Sequence, residues 1–211
     1  MNILYEDDYL IVAFKEAKIS SQKDKTNSES LEQMLEKKLN TKLHIITRLD
    51  KTVMGLSLFA KNKEIANKLT KMLTEDKIKK TYHAIIDGLI PEENKIESYI
   101  LKDSRLNLSK IVNKGNVGAK YALLYYKTLE VYKNYTKVEI DLKTGRHHQI
   151  RVQFASISNG LYGDTKYNKN FKHKKNVYPA LCACKLEFNH PITNKKLSIK
   201  CDDNLNIKDI K

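Results

Sequence analysis

Two long β-prone runs, residues 121–132 and 135–142, meet at Lys133-Asn134. Runs rich in tyrosine, valine, isoleucine and leucine, broken by two polar residues, fold back on themselves as a hairpin. A hairpin commits its strands to antiparallel pairing, so the chain is limited to folds built on a largely antiparallel sheet. Other segments fit the same plan. Ile3-Leu4-Tyr5 and Leu10-Ile11-Val12-Ala13-Phe14 flank Glu6-Asp7-Asp8 as a second hairpin, and residues 78–88 alternate, with Ile78, Lys80, Tyr82, Ala84 and Ile86 on one face. Further strands are expected at 95–102, at 180–188 and, after a turn at His190-Pro191, up to Lys200.

Three segments have helical spacing instead. Leu31, Met34, Leu35 and Leu39 share one face of a helix that Thr26-Asn27-Ser28-Glu29 would open as a capping box. Asn62 caps a second, with Ile65, Leu69, Met72 and Leu73 inward. Ile150, Phe154 and Ile157 place a third from about His148 to Ser158, stopped by Asn159-Gly160. The polar stretch 102–120 is read as a hairpin carrying Arg105, and 169–175 as a basic loop. The result is an α+β fold, a largely antiparallel mixed sheet with flanking helices.

The 211 residues suffice for one domain, 1–211, with a proper core. The first eight residues lack a basic and then apolar signal pattern, and no apolar run approaches the roughly 18 residues a membrane helix needs. The three cysteines, Cys182, Cys184 and Cys201, have no Cys-x-x-Cys spacing and read as structural thiols of a reducing, cytoplasmic setting. A net charge of +14 points to a polyanionic partner. In a chain that overwhelmingly uses lysine, Arg48, Arg105, Arg146 and Arg151 mark positions that need a planar fork for carboxylate or phosphate.

Three of those arginines lie in two dense polar motifs. In Thr47-Arg48-Leu49-Asp50-Lys51, a charged pair stands ahead of Gly55 and the buried run from Leu56 to Ala60, at the lip of a rigid strand. In Thr144-Gly145-Arg146-His147-His148-Gln149-Ile150-Arg151, a helix N-terminus would carry Arg146, His148, Gln149 and Arg151 together, a natural anion site. His147-His148 has no carboxylate or cysteine at ligand spacing, which argues against a metal. No Gly-rich nucleotide loop is present.

These motifs resemble the RluA-type pseudouridine synthases. The resemblance rests on Arg48-Leu49-Asp50-Lys51 through Gly55-Leu56-Ser57-Leu58-Phe59-Ala60-Lys61, on Lys80-Thr81-Tyr82-His83-Ala84, and on Thr144-Gly145-Arg146-His147-His148-Gln149-Ile150-Arg151-Val152. Gly163-Asp164 with Tyr167, Ala180-Leu181 and His190-Pro191 follow in the family's order. The chain departs from the pattern at Glu16 (usually Pro), Thr47 (His), Val53-Met54 (Thr-Ser), Gln153 (His) and Cys182 (His).

The resemblance implies isomerisation of uridine to pseudouridine in structured rRNA or tRNA, by a monomeric catalytic domain without a separate N-terminal RNA-binding domain. The reaction breaks the N1–C1′ bond, turns the uracil and joins C5 to C1′. No atoms are gained or lost, so neither cofactor nor metal is required. Asp50 would be the catalytic carboxylate, attacking sugar or base or promoting elimination, three routes that stay open here. Arg151 would keep it ionised and oriented, and Tyr82 would stack on the uracil and handle a proton. Arg48 would fill the gap left by the flipped base, with Arg146, His148 and Gln149 on the RNA side. The alternative is a relative of the same fold that binds RNA without catalysis. A methyltransferase or nuclease would need a cofactor loop or metal carboxylates.

Overall fold

The computed structural model describes residues 2–24 and 28–209. They form two compact units, one of residues up to 80 with 182–203, the other of 81–181 with the segment from 204 onward.

In the first unit, β1 (Asn2–Glu6) and β2 (Leu10–Lys15) form the expected antiparallel hairpin. Asp7 shapes its turn, accepting the Tyr9 and Leu10 N–H groups on Oδ1 at 2.8 and 2.9 Å. β4 (Met54–Ala60) runs antiparallel to β2, and the short β3 (His44–Ile45) pairs with it. β10 (Leu181–Asn189) lies parallel beside β4, with Cys182 opposite Met54 and Ala183 opposite Gly55, and β11 (Lys196–Lys200) returns antiparallel on β10. Gly55 therefore lies inside β4 rather than ahead of it. Its φ is +123°, and a Cβ there would collide with the backbone of Ala183, so only glycine permits this crossing.

Both faces of this sheet are covered, which is why β2 reads as an unbroken apolar run. Leu10 and Val12 join Leu56, Leu58, Leu186, Phe188 and Ile199 against Ile65 and Leu69 of α2 (Lys63–Thr74). Ile11, Ala13 and Phe59 pack on Leu31 and Leu35 of α1 (Leu31–Leu39). Each such leucine taken fully out of water contributes about 1.5–3 kcal/mol. Asn62 caps α2 as expected, accepting the Ile65 N–H at 3.0 Å. For α1, Thr26 and Asn27 lie outside the described residues, and the capping box is one turn later, between Ser30 and Gln33. Of the thiols, Cys182 and Cys184 are buried and unbridged, and Cys201 is half-buried and unbridged.

The second unit is an antiparallel sheet in the order β5 (Lys79–Asp87), β9 (Tyr135–Leu142), β8 (Lys120–Tyr132), β6 (Glu93–Asp103), β7 (Leu108–Val112). The β8–β9 hairpin turns at Lys133, with φ +53°, and Asn134. Arg105 stands in the turn between β6 and β7, where Asp103 accepts the Arg105 and Leu106 N–H groups at 3.0 Å. α3 (Gln149–Ile157) lies on one face of the sheet, with Val152 against Ile100 and Ala122, and Phe154 beside Tyr126 at 5.3 Å between ring centres. The basic loop contains a 3₁₀ turn, Lys169–Phe171. Among the described residues no helix is long and apolar enough to cross a membrane.

Candidate active-site residues

In the first unit, the segment before β4 is held at several points. The N–H of Leu49 donates to Ser21 Oγ at 3.0 Å, and Ser21 Oγ donates back to the Leu49 carbonyl at 2.9 Å. With Leu49 9% exposed, its side chain goes inward, while Arg48 is exposed and Asp50 half-buried. The Val53 N–H closes a turn onto the Asp50 carbonyl at 3.0 Å. Thr47, where the resembled family has histidine, is buried and accepts the Leu58 N–H on Oγ1 at 2.9 Å.

Lys15, which no motif singled out, closes this arrangement. It ends β2 wholly buried, and its ammonium donates to the carbonyls of Ile19, Glu16 and Lys51 at 2.8, 2.9 and 3.3 Å. Burial lowers its pKa to about 8, against the pull of Asp50 and Glu16 toward the charged form. At neutral pH Lys15 is a cation that ties the start of one loop to the residue following Asp50. A lysine ending an apolar strand was the signal available in the sequence.

In the second unit, Arg151 lies on the first turn of α3, 3% exposed. Asp164 grips it with two bonds, Nε to Oδ2 at 2.7 Å and an η nitrogen to Oδ1 at 2.8 Å. Such a fork fixes the plane of the guanidinium as well as its place. Asp164 is fully buried and also accepts the Lys166 N–H at 2.9 Å and the Tyr167 N–H at 3.3 Å. Sequence reasoning placed Gly163-Asp164 in a motif and gave it no role. Gly163 has φ +75°, and a Cβ there would strike the Tyr178 carbonyl. Tyr82 is 9% exposed on β5, opposite Ile140 of β9.

The turn into α3 arranges the remaining expected residues. Gln149 is buried, its Oε1 accepting from Thr144 Oγ1 at 2.8 Å and the Arg146 N–H at 3.0 Å, its Nε2 donating to the Leu123 carbonyl at 3.2 Å. Its amide holds the turn together. Arg146 is half-buried, anchored through Nε to the Tyr121 carbonyl at 2.7 Å. His148 is buried at φ +53° as the N-cap, with Nδ1 2.7 Å from the Tyr167 hydroxyl. Burial, then the neighbouring Arg151, His147 and Lys166, outweigh Asp164 and push its pKa down to about 2, so it is neutral. Gln153 is buried and donates to the Ile96 carbonyl and Ser98 Oγ at 3.0 Å each. Among the described residues no group of three or more His, Cys, Asp or Glu is placed to hold a metal ion.

Solved structures share this fold. Human RNA pseudouridylate synthase domain containing 1 superposes with a TM-score of 0.78 at 22% identity, covering 95% of this chain and 82% of its own. Domain containing 4, also human, gives 0.75 at 21%, covering 95% and 88%. The family model described as RNA pseudouridylate synthase matches residues 9–156. A tRNA pseudouridine synthase C of Vibrio parahaemolyticus is 32% identical over 95% of this chain and 89% of its own length. A ribosomal large subunit pseudouridine synthase D of Neisseria meningitidis is 31% identical over 95% of this chain, which spans only 57% of that protein. The chain belongs to the RNA pseudouridylate synthase family. Within it, the relatives place it with the RluA-type enzymes, isomerases that act on RNA.

Proposed function

We propose that residues 1–211 act as one monomeric, cytoplasmic catalytic domain that converts uridine to pseudouridine in a structured tRNA or rRNA, with Asp50 as the catalytic carboxylate. The observation that carries this is the held turn at Arg48-Leu49-Asp50. Leu49 is bonded both ways to Ser21, and Lys15 fixes the carbonyl of Lys51, so the residue between them sits on a rigid support. A carboxylate so placed either attacks as a nucleophile or stabilises charge at the anomeric carbon. The relatives' names, one for tRNA and one for the large ribosomal subunit, support structured RNA as the substrate class.

The other roles follow the same reading. Arg151 orients the charged carboxylate, and Tyr82 stacks on the uracil and handles a proton. Flipping the uridine out costs a few kcal/mol, and the exposed Arg48 is suited to fill the gap it leaves. Arg146 meets phosphate, while His148 and Gln149 shape the turn that presents it. Neither cofactor nor metal enters a reaction that conserves every atom.

The test is tritium release from 5-tritiated uridine in tRNA and rRNA transcripts. Wild type should release tritium. Asp50→Asn should release none above background while binding the same RNA within about threefold, as expected when the lost group acts in the chemical step. Undiminished turnover by Asp50→Asn would remove Asp50 from the chemistry.

A further inference from the structure

We infer that Tyr167 is a positioning residue for Arg151, locking the guanidinium to both the α3 turn and the β7 edge strand. Its ring lies against the guanidinium, 5.2 Å from ring centre to the central carbon. A cation over an aromatic face is held in the one direction that the in-plane fork of Asp164 leaves soft. The carboxylate fixes the plane and the ring closes one side of it.

The ring is itself fixed by its hydroxyl. Ser109 of β7 donates its N–H to that oxygen at 2.7 Å. The same oxygen lies 2.7 Å from His148 Nδ1, so one phenol bridges Ser109 and His148 whichever ring nitrogen carries the proton. Tyr167 thus spends its hydroxyl on two anchors, the N-cap of the helix bearing Arg151 and the outermost strand of the sheet. Further bonds join the same pieces. Ser109 Oγ donates to the His147 carbonyl at 2.8 Å, and Lys166 Nζ donates to the Asn107 carbonyl at 2.7 Å. Removing the hydroxyl leaves the ring and its apolar contacts in place but frees it to rock.

This role rests on the reading of Arg151 as part of the catalytic machinery, so the experiment has two arms. The first needs no activity. The chain has four arginines, so the Nε–H groups give a simple nitrogen-15 NMR spectrum in which Arg151→Lys identifies one signal. Tyr167→Phe should speed hydrogen exchange at Arg151 Nε–H by about tenfold or more, with the other three signals unmoved. The second arm is kinetic, on the same transcripts. Tyr167→Phe should lower kcat about tenfold and change KM less than about twofold, and Tyr167→Leu should lower kcat further. Unchanged exchange in Tyr167→Phe overturns the positioning role whatever the kinetics. Faster exchange with a raised KM and unchanged kcat also overturns it, since Tyr167 would then serve binding. Should the wild type turn over none of these RNAs, the proposed function fails, while the exchange arm still decides whether Tyr167 holds Arg151.

Discussion

His148 shows how far a residue's environment can move its chemistry. Its ordinary pKa of 6.5 is the one expected in the unfolded chain, and in the fold it is about 2. Below pH 6.5 the unfolded chain takes up a proton that the folded protein refuses, so stability is lost as pH falls. This one group removes up to about 1.4 kcal/mol per pH unit below that point. His148→Asn keeps an acceptor near Nδ1 and tolerates the left-handed backbone. Urea unfolding between pH 7 and pH 5 should show the wild type losing about 1–2 kcal/mol more than this variant. Parallel losses would mean that His148 is protonated in the fold. At this scale the sequence was half legible. The motifs singled out Asp50, Tyr82 and Arg151 as candidates, while Asp164 and Lys15 hold their surroundings through bonds such as those to Arg151 and to the Lys51 carbonyl. The place of Lys15 at the end of an apolar strand and of Asp164 in a motif marked the residues but not the bonds they make.

At the scale of elements, helices and hairpins were read well because each is set by neighbours in sequence. Spacing placed the three α-helices found among the described residues, and Lys133-Asn134 placed the longest hairpin. The parallel contact of β10 with β4 was not legible, since it joins Ala183 to Gly55 across most of the chain. A glycine beside an apolar run does not say which backbone will cross it. Gly55→Ala would combine a strained φ with a collision against the Ala183 backbone. Together these should cost about 3 kcal/mol or more and lower Tm by roughly 10 °C. A thermal melt within about 2 °C of wild type would show that β4 and β10 part easily.

For the whole molecule, the net charge of +14 sets the terms of RNA binding. Phosphate contacts release counterions, so affinity for a tRNA or rRNA transcript should fall at least about tenfold between 50 and 200 mM salt. A binding isotherm indifferent to salt would assign recognition to uncharged contacts instead. Chain order has a second consequence. The first unit's core sets Leu10, Val12, Leu56 and Leu58 against Leu186, Phe188 and Ile199. During synthesis, then, its early strands wait with one flank unfilled while the intervening hundred or so residues are made. Most of the second unit is contiguous and can close first. The strand that follows the Asp50 turn gains its second neighbour only when the last strands arrive.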